Sequence, residues 1–392
     1  MVIAIDIRLI GKKRTGDETV FFHLTRALLK QDTENQYLLL TDISEDADRA
    51  VILGRLEAVG KKNVEIVTPC PFLRFIGKNR FVWNIFALPW FLFRHHIDIY
   101  HTQYILPLFF PARTKMVTHI HDVSFRAHPE FIGWADRFFL ALLIPSSLRR
   151  ASAIIAPSEF TRSEIIRYYP VPETKVEVVK NALGDDFLSL MTENSESVSS
   201  VKEKYGLPDQ YLLFVGTFQP RKNIPFLLQA FALFRKRLPE MKLVLVGSLT
   251  AHNVDPRIES TLHDLGLEEA VIFPGFVSQK DLPNVIRGAT LFVFPSRYEG
   301  FGIPILEAMS QNVPAVVSDI PSLREVAGEA VLYFKASHVS EVASAAENMY
   351  TLCTDQSKRA EMIRLGQERL KLFSWEESAR SVSVIYRALH NS

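Results

Sequence analysis

A chain of 392 residues has room for roughly two to three domains, and its 47% hydrophobic and 23% charged residues exclude a disordered, collagen-like or coiled-coil reading. The 45 Lys and Arg against 44 Asp and Glu leave a net charge of +1, so there is no cation excess for general nucleic-acid binding and any electrostatic site must be a local cluster. Two cysteines, Cys70 and Cys353, form no C-x-x-C pair, which argues against a disulfide framework or a structural zinc and fits a reducing compartment.

In chain order, the opening MVIAIDIRL has no charged leader and reads as a first strand rather than a signal peptide. Short apolar runs at 2–7, 37–40, 64–67, 97–101, 116–121, 153–156 and 176–179 read as strands covered on both faces. Helical patterns at 20–30, 81–94 and 138–150 lie between them, the β-α-β alternation of a parallel sheet. The uncharged run 81–93 contains Pro89 and falls short of the ~20 residues a membrane span needs. Residues 188–204 are polar and Ser-rich, as in a surface connection. The alternation then restarts, with strands at 211–215, 243–246, 271–273, 291–294, 315–318 and 331–334 and helices including 224–238 and 303–310. An amphipathic helix at 375–389 follows. The expected architecture is α/β: two doubly wound parallel-sheet domains facing across a cleft. The divisions are an acceptor-side domain 1–187, a linker 188–206, a donor-binding domain 207–372 and a helix 373–392 that crosses back to the first domain.

The sequence lacks a G-x-x-x-x-G-K-[ST] loop, a G-x-G-x-x-G after the first strand and a G-x-S-x-G elbow. These absences count against a P-loop NTPase, an NAD dehydrogenase and an α/β hydrolase. The segment FPSRYEGFGIPILEAMS (294–310) reads as strand, glycine loop and helix, with Pro304 in the first turn. Such a helix start can offer N–H groups to a phosphate. Glu299 and Glu307 flank it; were all eight steps between them helical they would span ~12 Å. Either carboxylate could accept hydrogen bonds from paired hydroxyls, the alternative being a loop acid and a solvated helix residue. In LFVGTFQPRKN (213–223), Arg221 and Lys222 follow the strand that delivers Gly216, where they suit a diphosphate or are a solvated pair in a turn. THIHDVSFRAHPE (118–130) ends a strand in His119 and His121. A metal site, a catalytic or sugar-contacting His121, and a structural His119 are all compatible with it. Gly16 lies in the loop after the first strand.

Together, FVGTFQPRKN, FPGFVSQKDLP, FVFPSRYEGFGIPILEA and VVSDIPSLREVAGEAVLYF resemble the group 1 glycosyltransferase family, retaining enzymes of the GT-B fold (glycosyltransferase family 4), and HDVSFRAHPEF and IIAPSEFTRSEI match its style. The resemblance implies that Glu299 holds donor-sugar hydroxyls and Glu307 the ribose. Gly300, Phe301, Gly302 and Ile303 would face the sugar and diphosphate, and Gly216, Arg221 and Lys222 would belong to the diphosphate site. Phe276 and Val277 would frame the nucleobase, Gly16 would lie in the acceptor-side loop, and His121 near the reacting anomeric carbon. It implies no bound metal and no cofactor beyond the nucleotide-sugar donor. The chain departs from the family pattern at Gly16-Asp17-Glu18, where a second glycine is common, at Asn181-Ala182 in place of Asn-Gly, and at Thr217, where many members carry Arg.

Two points stay open on sequence. The stretch 73–96, rich in Phe and Trp with Arg74, Lys78, Arg80 and Arg94, reads as a core helix covering the first sheet, or as a membrane-surface helix meeting a lipid-linked acceptor. The expected activity is hexosyl transfer, mannosyl preferred, from a nucleotide-diphosphate sugar to a saccharide or lipid-linked acceptor. The rival classes are a GT-B sugar-nucleotide epimerase and a non-catalytic nucleotide-sugar-binding subunit. The expected location is the cytoplasm, with peripheral contact at the inner face of the membrane as the variant; no nucleic-acid partner is expected.

Overall fold

A computed structural model describes residues 1–11, 16–43, 45–69, 82–184, 187, 197–250, 253–336 and 339–392. The chain divides into two compact units. One comprises Met1–Ala127, Trp134–Ala182 and Ser374–Ser392; the other comprises His128–Gly133 and Leu183–Phe373.

The first unit holds strands β1 (Val2–Asp6), β2 (Gln36–Leu40), β3 (Val64–Val67), β4 (Ile99–Gln103), β5 (Lys115–His119), β6 (Ala153–Ala156) and β7 (Val176–Val178). They pair in parallel in the order β3-β2-β1-β4-β5-β6-β7. Ile3 and Ile5 of β1, Ile99 of β4 and Ile154 of β6 are fully buried, as strands with helices on both faces require. β4 begins two residues later than the apolar run suggests because the Asp98 carboxylate and amide take the Val2 N–H and C=O, and the ladder starts beyond them. β5 ends at His119, which leaves His121 in the loop past the strand. The helix Trp375–His390 packs on the helix Gly16–Gln31. Gln31 donates to the Glu376 carbonyl (3.0 Å), and the His23 ring stacks on Trp375 with centroids 5.8 Å apart.

The second unit repeats the pattern with β8 (Tyr211–Val215), β9 (Lys242–Val246), β10 (Val271–Gly275), β11 (Leu291–Phe294), β12 (Ala315–Ser318) and β13 (Leu332–Phe334) in the parallel order β10-β9-β8-β11-β12-β13. In each sheet the winding reverses between the first strand and the fourth, at β1/β4 and at β8/β11. Ligands of doubly wound sheets bind beyond the carboxyl ends of the strands at such a reversal.

Part of the expected linker is not a loop. Residues 198–205 form the helix Val198–Tyr205, capped by Ser197 Oγ on the Ser200 N–H (3.1 Å) and ended by Gly206 at φ 61°. Its Lys204 and Tyr205 side chains bond Asp281 (2.8 and 2.7 Å), so it is an integral part of the second unit. Residues 188–196 lie outside the described residues. So does the front of the aromatic stretch, including Arg74, Lys78 and Arg80. Its remainder is a π-helical turn, Trp83–Ala87, running into the helix Leu88–Arg94, with Pro89 at the junction. Proline lacks the N–H that would continue an α-helical ladder, which accounts for the widened turn there.

Candidate active site

The reversal point of the second sheet gathers the acidic and basic residues singled out above. β8 ends at Val215 and hands the chain to Gly216, where an added Cβ would lie 3.8 Å from Lys222 Cε. The chain then makes the short helical turn Pro220–Lys222, closed by Asn223 in the left-handed conformation (φ 58°), a geometry Asn tolerates better than most residues. On the neighbouring strand, β11 runs out through Pro295 to Glu299. The Arg297 N–H donates to the Arg221 carbonyl (2.8 Å) and clamps the two loops together.

Side chains complete the junction. Lys222 Nζ donates to Glu299 Oε1 at 2.5 Å and Arg221 Nη1 to Oε2 at 2.9 Å. Lys222 also lies over the Phe294 ring, 4.8 Å from its centroid. Burial works to raise the Glu299 carboxyl, but the charges of Lys222 and Arg221 outweigh it and hold the group down at about 2. Two cations against one carboxylate give this buried cluster a net charge of +1. Glu299 is therefore not an unengaged loop acid. It orders the two cations that the sequence pointed to separately.

The loop Gly300–Gly302 leads from this cluster into the helix Ile303–Ser310. Gly302 has φ 110°, and a Cβ there would fall 2.6 Å from Leu323 Cδ2, so only glycine fits. No side chain caps the helix; Pro304 has no N–H and the Ile305 N–H donates to the Gly302 carbonyl (3.0 Å), which leaves the Ile303 N–H as the donor at the helix start. An anion is well served at such an end. Because helix begins only at Ile303, the ~12 Å all-helical span does not apply; four helical steps separate Ile303 from Glu307, a rise of ~6 Å. Glu307 is half-buried, its carboxylate has no hydrogen-bond partner among the described residues, and burial pushes it up to about 7. Past β10, Phe276 is strongly exposed while Val277 is buried, so they cannot present equivalent surfaces. Residues 128–133 also belong to this unit. Phe131 lies beneath Arg297 (5.1 Å) and accepts from Asn253, and His128 meets Tyr298 edge-on (5.4 Å).

In the first unit, the ends of β4 and β5 hold a stack of imidazoles. His119 lies between His101 (6.3 Å between centroids) and His121 (4.5 Å). Burial, then the neighbouring imidazoles, pushes His119 well below the usual histidine range and His101 to about 3, so both are neutral. His101 Nδ1 meets Tyr386 Oη at 2.6 Å. His121 Nε2 lies 2.7 Å from Gln103 Oε1; with the amide oxygen facing it, the ring carries its proton on Nε2. Neither Gln103 nor Tyr386 belongs to a recognisable motif. Among the described residues no group of three or more His, Cys, Asp or Glu side chains is arranged to hold a metal, and His119 and His121 stack instead of converging. Gly16 starts the helix Gly16–Gln31 with open space around it, and the buried Glu18 accepts the Gly11 N–H (2.9 Å).

Residues 198–369 match the family described as "Glycosyl transferases group 1", and residues 14–186 match "Glycosyltransferase Family 4". The chain is 34% identical over 281 residues to O-antigen chain mannosyltransferase B of Escherichia coli, covering 70% of this chain and 71% of the relative. The chain belongs to the group 1 glycosyltransferases. This glycosyltransferase is also similar to the serotype-specific mannosyltransferase WbdA of Escherichia coli, 32% identical over 60% of this chain but only 28% of that longer protein. Among solved structures, Anabaena HepE in complex with UDP and glucose has the same fold, with a TM-score of 0.72 at 18% identity over 99% of this chain and 100% of that one. The two units are the Rossmann-like halves of a GT-B enzyme.

Proposed function

We propose that this glycosyltransferase moves a hexosyl group, mannosyl first, from a nucleotide-diphosphate sugar to a saccharide or lipid-linked acceptor, with retained configuration and without a bound metal. The observation that carries this reading is the Arg221–Lys222–Glu299 cluster beside an uncapped helix start at the β8/β11 reversal. Mannosyl is preferred because both curated relatives described above are named mannosyltransferases.

The donor diphosphate takes the cations and the N–H groups of Phe301–Ile303, Glu299 and the loop hold sugar hydroxyls, and Glu307 accepts from the ribose. As the bond from the anomeric carbon to the phosphate oxygen breaks, charge grows on the leaving diphosphate. Lys222 and Arg221, already oriented by Glu299, stabilise it without reorganising. The acceptor hydroxyl bonds to the same face of that carbon and its proton passes to the departing phosphate oxygen. His121, oriented by Gln103, is assigned to the reacting sugar carbon.

The test is a panel of GDP-, UDP-, dTDP- and ADP-sugars read by thermal shift, since a ligand that binds only the folded state raises its stability by mass action. One nucleotide class should stabilise the protein, and Arg221→Ala should weaken its calorimetric affinity by about tenfold or more. Unchanged affinity in that variant would show that the cation is merely solvated and remove the diphosphate assignment.

A further inference from the structure

Six of the seven exposed Phe and Trp side chains among the described residues belong to three neighbouring segments of the first unit, in or between the two helices that follow residue 82 and residue 133. The helix Leu88–Arg94 and its preceding turn bury Trp83, Ala87, Leu88, Phe91 and Leu92, which makes them part of the core as the simpler reading requires. The opposite face does something else. Phe86, Trp90 and Phe93 recur at helical spacing and are 62, 47 and 57% exposed. Leu108 and Phe109, also exposed, lie alongside, because the Leu108 N–H donates to the Asn84 carbonyl at 3.0 Å. Arg150 ties that loop to the helix Trp134–Arg150 through the carbonyls of Pro107 and Leu108 (2.8 and 3.0 Å). That helix exposes Phe138, Phe139 and Leu142.

Charge sorts as sharply as hydropathy. The stretches 82–121 and 137–158 contain six cations, Arg94, Arg113, Lys115, Arg137, Arg149 and Arg150, against a single acid, Asp98, whose carboxylate accepts the Val2 N–H. The whole chain has a net charge of only +1. We infer that this face of the first unit docks on the surface of an anionic lipid bilayer. Aromatic rings suit the boundary between head groups and acyl chains, and arginines suit the lipid phosphates around them. A second copy of the chain fits poorly, because a two-fold contact would set six cations against six. No helix among the described residues is long and apolar enough to cross a membrane, so the contact lies on the surface. The proposal deepens the acceptor half of the function above, by giving a lipid-linked acceptor's membrane a place on the chain. It is read without turnover, so its failure leaves that reading intact.

The experiment floats the full chain with vesicles of phosphatidylcholine, alone or in equal parts with phosphatidylglycerol. The wild type should float with the anionic vesicles and far less with the neutral ones, and added salt should weaken the association. The triple variant Phe86→Ser/Trp90→Ser/Phe93→Ser should lose at least about 100-fold in partition coefficient while keeping its circular dichroism melt and nucleotide-sugar affinity. Trp83 is left intact because it is buried under Arg8 (4.4 Å). Arg113→Glu/Arg149→Glu should remove the preference for anionic vesicles with every aromatic in place. No flotation of the wild type, equal flotation on both vesicles, or flotation unchanged in the triple variant would each overturn the proposal. So would a dimer in sedimentation that the triple variant dissolves without any vesicle binding, which would assign the face to a second copy.

Discussion

Glu307 turns the proposed ribose contact into a pH-dependent one. Burial places its carboxyl at about 7 rather than the ordinary 4.5, and it has no hydrogen-bond partner of its own among the described residues. A ribose diol donates to the ionised form, so donor binding draws the proton away below that value. If only the carboxylate binds, the apparent Kd rises by a factor of one plus ten to the power of the pKa minus the pH. The factor is about 1.1 at pH 8, about 2 at pH 7, about 11 at pH 6 and about 100 at pH 5. The last corresponds to about 2.7 kcal/mol, whereas a solvated glutamate would give a factor of only about 1.3 at pH 5. Calorimetry with a nucleotide sugar reads this directly, because its diphosphate diester does not titrate in the range. Glu307→Gln should bind about tenfold more weakly than wild type at pH 8 and with a flat profile. The sign for folding is opposite to that of a paired acid. A folded value above the unfolded one counts against the folded state, not at all below pH 4.5 and fully above pH 7. Solvent at the half-buried carboxylate trims that cost to ~1–2 kcal/mol, so Glu307→Gln should melt higher than wild type at pH 8 and alike at pH 4.5. Wild-type affinity that stays flat from pH 5 to 8, or a slope that survives in Glu307→Gln, would refute the assignment.

Glu299→Gln leaves Lys222 and Arg221 without their buried anion, and we expect it to cost ~3–5 kcal/mol of stability and at least about 100-fold in turnover. Since pairing holds Glu299 at about 2, its contribution is present above the unfolded value of 4.5 and fades as pH falls through about 2. An acid-unfolding curve identical in wild type and variant would rule out the pairing. Gln103→Leu removes the acceptor for His121 Nε2–H; kcat should fall about tenfold or more with nucleotide-sugar affinity unchanged, and a wild-type kcat would deny Gln103 any positioning role.

The strand–loop–helix at 291–310 was legible because each signal in it is local: an apolar run closed by Pro295, glycines where the loop must turn sharply, Pro304 in the first turn. The ends of β8, β11 and β12 follow from the apolar runs without adjustment. What pattern reading missed depends on residues far apart in the chain. Glu299 and Lys222 are separated by 77 positions, and nothing in either segment announces that the carboxylate will neutralise the cation expected to meet a phosphate. Gln103 sits at the end of an ordinary strand, and only the pairing of β4 with β5 brings it beside His121. The late start of β4 has the same character, since Asp98 is recruited by Val2, 96 positions earlier. The helix Val198–Tyr205 escaped notice for a different reason: its serines read as loop, although Ser197 is the cap that starts it.

The return of residues 374–392 to the first unit bears on how the polypeptide is made. Tyr386 reaches His101, Trp375 stacks on His23, and Ser378 donates to the Lys180 carbonyl, so helix Gly16–Gln31 and the ends of the first sheet are left uncovered until that stretch is available. Domains usually fold in the order in which they leave the ribosome. Here the earlier-made half must wait for a helix synthesised after the second sheet, while residues 197–373 can close their own sheet beforehand. A nascent chain halted at residue 373 would therefore carry a finished second half and an unfinished first one.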